Sequence, residues 1–325
     1  QYGINLTYKL FPGELSSSML AGLICSAQTG VGPGTVQDYA ARHSMYPINT
    51  FKTRDKDIYK TDTKTGEKTY LKTITVPGFK DIKERYDDSF WNGVTVEMYR
   101  EYGNVDAGTA NLIYGVPEVL SFSLLYYRED IFDKYNLTIP NVWDDYYTYI
   151  PTLQKYNMQA EAPQAGVMIY QYGGLMYKYD NSRQANARAS NIDSDLYLKL
   201  FDKQNAFYTE YKCPITMDGH SRFRTGEVPM IIGTLSTWKN LYAQAPEIRG
   251  LWKFHILPGV EQEDGTVNRE QIPTVTYSAI YAAGANHDGA WEFIQWFNDY
   301  ECSNEFGREV EALIGQVERY ASAVK

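Results

Sequence analysis

The stretch YGVPEVLSFSLLYYREDIF, residues 114–132, is the most informative part of this 325-residue sequence. From residue 111 to residue 127 the chain is almost continuously apolar, and Glu118 is the one carboxylate in that run. A run of this kind predicts a strand that is buried on both faces. The residues that follow, 130–135, have the spacing of a helix. The stretch therefore predicts a buried strand that leads directly into a helix.

Strands and helices also alternate on either side of this stretch, which predicts an α/β fold with largely parallel sheets. The glycine-rich segment GVGPGT, residues 30–35, is a turn before a helix predicted at 36–42. Residues 52–75 are rich in Lys, Thr and Asp and predict an exposed hairpin, whereas residues 91–107 have no regular period. The other predicted elements are strands at 2–10, 253–258 and 275–283 and helices at 15–23, 143–156, 195–211, 236–245, 289–300 and 303–314.

Composition and charge restrict the class of protein. The mass of 37.2 kDa is typical of about two domains. The chain carries 31 Lys and Arg against 40 Asp and Glu, a net charge of -9. This balance argues against general binding to nucleic acids or anionic membranes, because both require a basic face. Tyrosine supplies 29 residues, and its amphipathic ring suits a wet binding surface.

No motif of the sequence predicts catalysis, a metal site or a cofactor. Cys25, Cys213 and Cys302 are too scattered for a zinc site, and we expect them to be small apolar side chains. The 30–35 turn lacks the lysine and the glycine spacing of nucleotide-binding loops. The four histidines form no metal or nucleophile motif. Glu118, Glu161 and Asp38 could be proposed as the carboxylate pair of a glycoside hydrolase, but the sequence gives no distance between them.

Five blocks in order along the chain resemble one family. They are GPGT at 32–35, the stretch 114–132 with its YYREDIF ending, PNVWDD at 140–145, FRTGEVPM at 223–230 and AWEFIQWF at 290–297. They are similar to blocks of the extracellular solute-binding proteins of ABC importers, in the carbohydrate-binding cluster that includes maltose-binding protein. The resemblance implies two α/β lobes joined by a hinge, with lobe one at 1–116 and 274–302 and lobe two at 117–273 and 303–325. We expect the first strand and the last helices of the family to be missing from this chain.

The resemblance also implies which residues contact a ligand between the lobes. The first lobe would contribute residues just after the glycine-rich turn, the hinge would contribute its polar side chains, and the second lobe would add aromatic and acidic groups. The implied ligand-binding residues are Thr35, Gln37, Asp38, Tyr114, Glu118, Ser121, Glu161, Tyr172, Trp238 and Tyr277.

The function implied by the resemblance is binding, not catalysis. The protein would be a monomer that captures a small solute, a sugar or oligosaccharide, at the bacterial cell surface and delivers it to an ABC permease. A lipid anchor upstream of Gln1 would hold it there. Two alternatives stay open: a glycan-active enzyme with a tyrosine-rich cleft, and the ligand-sensing domain of a larger protein. Hydrolysis that is abolished by Glu118→Gln or Glu161→Gln would favour the enzyme.

Overall fold

A computed structural model describes residues 3–7, 25–101, 104–162, 165–174, 177–179, 188–315 and 321–324. These residues form two compact units. The first lies within Gln1–Leu120 and Val275–Gly315 and includes residues 321–324, and the second is Ser121–Thr274. Residues 3–7 have no regular secondary structure, and the helix predicted at 15–23 lies outside the described residues.

The strands of the described residues are numbered in chain order. They are β1 (Ala27–Val31), β2 (Arg54–Thr61), β3 (Lys68–Val76), β4 (Thr95–Glu101), β5 (Asn104–Ile113), β6 (Val116–Ser121), β7 (Leu124–Arg128), β8 (Tyr177–Tyr179), β9 (Arg188–Ser190), β10 (Met230–Gly233), β11 (Trp252–Ile256), β12 (Val260–Glu261), β13 (Val267–Asn268) and β14 (Thr274–Ile280).

The α-helices of the described residues are numbered in the same way. They are α1 (Pro33–Ala41), α2 (Phe79–Lys83), α3 (Asp88–Asn92), α4 (Glu129–Tyr135), α5 (Trp143–Lys155), α6 (Ala165–Gln171), α7 (Asp195–Thr209), α8 (Gly219–Thr225), α9 (Leu235–Gln244), α10 (His287–Phe297) and α11 (Tyr300–Ile314). None of these helices is both long enough and apolar enough to cross a bilayer.

The first unit is built on the sheet β1-β14-β6, in which β1 and β14 run antiparallel. Its core packs aromatic rings against this sheet. Trp291 of α10 stacks on Phe51 with ring centroids 4.8 Å apart, and Trp91 of α3 meets Tyr86 edge to face at 5.4 Å. Burial of these rings, together with the aliphatic side chains of the same cluster, stabilises this unit.

Two antiparallel ribbons extend the first unit. Strands β4 and β5 form one of them, although the sequence predicted no regular structure over 91–107. Strands β2 and β3 form the other, which is the hairpin predicted at 52–75. Its turn contains Gly66 at a φ of 73°, a left-handed backbone conformation that glycine adopts without strain.

The second unit is built on the antiparallel sheet β10-β7-β11. Alternate residues of β7 point to opposite faces, so Leu125 and Tyr127 join one apolar cluster and Tyr126 joins another. Helices α5 and α7 bury their apolar faces in the first cluster, and α8 and α9 bury theirs in the second. The apolar run at 111–127, predicted as one buried strand, instead contains the end of β5, all of β6 and most of β7. Of these, β7 is a central strand covered on both faces.

The strand directions and the C-terminus differ from the sequence-based expectation. The sheets were expected to be mostly parallel, whereas the pairs of β1 with β14 and of β7 with β10 and β11 are antiparallel. The alternation of strands and helices does not reveal this, because strands far apart in the chain pair with each other.

Helix α11 was assigned to the second lobe, but it belongs to the first unit together with residues 321–324. The end of the chain is held there by backbone hydrogen bonds, with Leu120 N donating to Ala321 O and Ala323 N donating to Glu118 O.

Candidate functional site

The glycine-rich turn places three of the predicted ligand-binding residues on α1. Gly32 is extended, and Pro33 begins the helix because its fixed φ suits the first helical position. Thr35 and Asp38 are exposed, and the Asp38 carboxylate accepts a hydrogen bond of 3.1 Å from Arg42 Nε. The adjacent Gln37 turns inward.

Glu118 is a buried carboxylate with its partners inside the first unit. Its Oε2 accepts hydrogen bonds from Gly30 N at 2.8 Å and from Ser278 Oγ at 2.9 Å. Burial raises the pKa of Glu118, and the two hydrogen bonds oppose part of that rise. Ser278 Oγ in turn accepts from Asn298 Nδ2 at 3.1 Å. The carboxylate therefore ties β6 to β1 and β14.

The two predicted tyrosines of the first unit are buried. The Tyr277 hydroxyl donates to Phe90 O at 2.7 Å, and burial raises the pKa of Tyr277 to about 12. Burial also raises the pKa of Tyr114. Tyr277 packs closely against Gly93 and Gly115, two positions that lack a side chain. Neither ring of the pair therefore presents an open face of the kind expected for ligand stacking.

Glu161 binds β10 in the second unit, and Trp238 lies on α9, the helix that follows this strand. Glu161 Oε2 accepts from Ile232 N at 2.7 Å, and burial raises the pKa of this carboxyl. The Glu161 backbone oxygen accepts from the Tyr146 hydroxyl at 2.6 Å.

The half-buried Trp238 indole stacks on Tyr242, with ring centroids 5.4 Å apart and an interplanar angle of 23°. The Arg249 guanidinium lies over Tyr242, 4.3 Å from its ring centroid. We call Trp238, Tyr242 and Arg249 the stacked triplet.

The structure thus collects some of the predicted residues into two groups. In the first unit, Gln37 and Tyr277 both approach Gly93, since Gln37 Nε2 donates to Gly93 O at 2.9 Å and the Tyr277 hydroxyl lies against Gly93, whereas Glu118 binds the neighbouring Ser278 of β14. In the second unit, Glu161 accepts from Ile232 N of β10, and Trp238 lies on α9, the helix that follows β10. Within the described part of the chain, Tyr172 and Ser121 form no hydrogen bond or ring contact with the residues of either group.

Tyr172, which follows α6, has neighbours that differ from those of the two groups. Its ring lies near the ammonium groups of Lys199 and Lys203, 5.9 Å and 5.6 Å from the ring centroid. Lys203 Nζ also pairs with Asp144 at 3.0 Å. Ser121 is half-buried at the end of β6.

Several residues that shape these groups were not singled out in the sequence. Tyr242 lies four residues after Trp238, a spacing that places both side chains on one helix face and could have identified the pair. Ser278, Asn298 and Gly93 gave no such signal, because their partners are far along the chain.

The described residues include no group of three or more His, Cys, Asp or Glu side chains that could hold a metal ion. All three cysteines are free, and Cys213 is buried while Cys25 and Cys302 are half-buried. Burial raises the pKa of each thiol, and that of Cys302 reaches about 11 with a contribution from Asp299 and Glu305. These thiols are therefore poor nucleophiles at neutral pH.

Comparison with known proteins assigns the chain to a family. The family described as bacterial extracellular solute-binding protein matches residues 50–301, which is most of the chain, so the protein belongs to this family. A comparison with curated protein sequences gave no match.

Several solved structures have a fold similar to that of this chain. The lacto-N-biose complex of the galacto-N-biose-/lacto-N-biose I-binding protein of an ABC transporter from Bifidobacterium longum has a TM-score of 0.63 at 15% identity, over 97% of this chain and 69% of that one. An ABC transporter solute-binding protein from Thermotoga lettingae TMO, bound with α-D-tagatose, has a TM-score of 0.61 at 15% identity, over 95% and 70%. Maltose-bound T. maritima MalE3 has a TM-score of 0.61 at 15% identity, over 96% and 70%.

Identities this low establish the fold alone. The similar structures and the family match confirm the predicted fold class, which is the two-lobed α/β fold of periplasmic binding proteins.

Proposed function

We propose that this protein captures a sugar or oligosaccharide outside the bacterial cell and delivers it to an ABC permease. The observation that carries the proposal is the half-buried Trp238 indole, which stacks on Tyr242 in the helix after β10, the strand whose Ile232 N donates to the Glu161 carboxylate. Sugar rings pack their apolar face on aromatic rings, and their hydroxyls donate to carboxylates. Membership of the solute-binding family and the sugars bound by similar structures support the same conclusion.

Binding without catalysis fits the surroundings of the two buried carboxylates. Glycoside hydrolysis needs one carboxyl group as proton donor and a second as base or nucleophile, both facing the scissile bond. In this protein Glu118 Oε2 is occupied by Gly30 and Ser278, and Glu161 Oε2 is occupied by Ile232 N. These hydrogen bonds hold the carboxylates as fixed acceptors, a role that suits recognition of hydroxyl groups.

The remaining parts of the proposal concern partners and location. The protein acts as a monomer, and its partners are a carbohydrate ligand and the membrane permease. It resides at the cell surface, where a lipid anchor upstream of Gln1 keeps it near the permease. Family membership supports the extracellular location.

The test is a thermal-shift screen of the full chain against mono- and oligosaccharides. A sugar at about 100 times its dissociation constant should stabilise the folded state by about 2.7 kcal/mol. Trp238→Ala should abolish the shift. Trp296→Ala is the matched control, because it removes an indole that is 36% exposed on α10, and it should leave the shift unchanged.

Two outcomes would contradict the proposal. If no sugar raises the melting temperature, carbohydrate binding is excluded as the function. If a sugar is consumed during the measurement and Glu161→Gln stops its consumption, the protein is a glycan-active enzyme.

A further inference from the structure

The distal part of the β2–β3 hairpin stands out from the first unit. Every residue from 59 to 73 is exposed, and we call this segment the arm. At the base of the hairpin, by contrast, Ile58 and Val76 are only 8% and 0% exposed. The arm therefore contributes nothing to the core of the unit from which it projects.

The hairpin is fastened to the unit by a buried carboxylate. The Glu292 side chain on α10 is 2% exposed and binds Arg54 Nη2 at 2.6 Å and Lys56 Nζ at 2.5 Å. A carboxylate that is buried with two cations is held in a definite geometry, because leaving any of these charges unpaired is unfavourable. The base of β2 thus fixes the direction in which the arm projects.

The arm is cationic although the protein as a whole is acidic. It carries four lysines against two carboxylates: Lys60, Lys64, Lys68 and Lys72 against Asp62 and Glu67. None of the four lysines takes part in an ion pair found among the described residues. Asp62 Oδ1 accepts from Lys64 N and Thr65 N at 2.7 Å and 2.9 Å, so this carboxylate is used to hold the turn.

Large apolar groups are exposed among these lysines. Tyr59 and Tyr70 are 48% and 53% exposed and meet edge to face with ring centroids 5.9 Å apart. Leu71 is 56% exposed. Tyrosine rings prefer the boundary between water and lipid, and lysines reach the phosphates of anionic headgroups there. The combination in the arm matches the chemistry of an anionic membrane surface.

The length of the arm separates its charge from that of the acidic body. Three residues of β2 lead from Ile58 to the end of the strand at Thr61, about 10 Å at about 3.3 Å per residue, and the turn that contains Lys64 lies beyond it. The Debye length at physiological ionic strength is about 8 Å, so the charge of the body is largely screened at the end of the arm. The net charge of -9 therefore does not prevent this one element from binding a negative surface.

We propose that the arm docks this protein onto a membrane surface that displays anionic phospholipid headgroups. The four lysines bind the lipid phosphates, and Tyr59, Tyr70 and Leu71 lie at the level of the headgroups. The arm does not include the stacked triplet or Glu161, so this docking is independent of sugar binding.

The test is co-sedimentation of the full chain with lipid vesicles. We expect the protein to bind vesicles of equal parts phosphatidylglycerol and phosphatidylcholine at about 0.05 M NaCl, to bind them more weakly at about 0.5 M, and not to bind pure phosphatidylcholine. Each lysine near such a surface contributes about fivefold to the partition coefficient. Replacing Lys60, Lys64, Lys68 and Lys72 with Gln should therefore lower it more than about a hundredfold.

A matched variant tests whether position or only total charge matters. This variant changes the net charge as much as the arm variant does, and it should bind vesicles within about twofold of the original chain. It carries Gln in place of four exposed lysines outside the arm: Lys52, Lys80, Lys155 and Lys212. Circular dichroism and thermal unfolding of both variants verify that they are folded. The proposal is overturned if the original chain does not sediment with phosphatidylglycerol vesicles, or if the matched variant loses as much binding as the arm variant. The first of these results would assign the arm to a protein partner.

Discussion

At the scale of single residues, Gly93 and Tyr277 are closely matched. A Cβ placed on Gly93 would lie 2.8 Å from the Tyr277 hydroxyl oxygen, which donates to Phe90 O. The φ of Gly93 is -66°, so its backbone accepts any residue, and the nearest obstacle to a Cβ is the hydroxyl, followed by Pro33 Cβ at 3.4 Å. We therefore expect Gly93→Ala to lower the free energy of unfolding by about 1–3 kcal/mol, the usual effect of overpacking.

A double-mutant cycle isolates this contact. Tyr277→Phe removes the hydroxyl, and should by itself lower the free energy of unfolding by about 1 kcal/mol because one buried hydrogen bond is lost. In the chain that carries Tyr277→Phe, Gly93→Ala should lower the free energy of unfolding by less than it does in the original chain. Urea unfolding of the four proteins measures the cycle, and strict additivity of the two changes would contradict the contact.

The buried Glu118 carboxyl predicts a dependence of stability on pH. Because burial raises the pKa of Glu118 in the folded protein, the folded state binds its proton more tightly than the unfolded state does. Its contribution is most favourable below the ordinary pKa of a glutamate and is lost as the pH rises through the raised folded pKa. Glu118→Gln cannot ionise, so its stability relative to the original chain should increase as the pH rises from about 4, the ordinary range of a glutamate, through the raised pKa of the folded protein.

Denaturant unfolding at several pH values gives this comparison. Gln at position 118 keeps an oxygen that can accept from Gly30 N, so the fold should be retained. A difference in stability between the two proteins that is constant over the whole pH range would show that Glu118 titrates normally in the folded state.

The hydrogen-bond partners of Glu118 and Gln37 are the part of the site that the sequence could not predict. Glu118 was singled out correctly as an unusual carboxylate in an apolar run. Its hydrogen-bond partners Gly30 and Ser278 are 88 and 160 residues away, however, and only the folded chain brings them together. The same holds for Gln37, whose side chain turns toward Gly93, 56 residues away. The ligand-binding role of these residues stays a prediction.

At the scale of elements, the stacked triplet of α9 and the turn after it makes Trp238 a rigid platform. We expect Tyr242→Ala to weaken binding of the sugar found in the thermal-shift screen by about two- to tenfold, because an aromatic pair contributes about 0.5–1.5 kcal/mol beyond its buried area. Titration calorimetry measures the affinity.

Tyr242→Phe is the control for this prediction. It preserves the ring under Trp238 and should bind the sugar as the original chain does. The tryptophan emission spectrum should shift in the Ala variant and not in the Phe variant, because only the Ala variant exposes the indole to water. Unchanged affinity in the Ala variant would show that Tyr242 does not position Trp238.

Helices were predicted more accurately than sheets, and the reason is physical. A helix is delimited by groups a few residues away: Asn286 Oδ1 accepts from Gly289 N at 2.9 Å where α10 begins. The predicted range of 289–300 is therefore close to the observed His287–Phe297. Strand direction depends on distant partners, such as Tyr277 beside Val31, and local patterns do not contain it.

At the scale of the whole molecule, the protein has a net charge of -9. The dependence of binding on salt concentration therefore separates the two proposed interactions, with sugar and with anionic lipid. A sugar is uncharged, so its dissociation constant should change less than about twofold between about 0.05 M and about 0.5 M NaCl. Binding to phosphatidylglycerol vesicles should fall steeply over the same range. Titration calorimetry at the two salt concentrations is sufficient. A strong salt dependence of sugar binding would mean that the bound solute is charged.

The raised pKa of all three native thiols has a practical consequence. Maleimide reacts with the thiolate, and at neutral pH Cys25, Cys213 and Cys302 are almost entirely protonated as well as partly or fully covered. A cysteine substituted for the exposed Thr63 at the end of the arm would have an ordinary thiol in open solvent. A dye could then be attached at that one position in the presence of the native cysteines, and its emission would report directly on the surroundings of the arm.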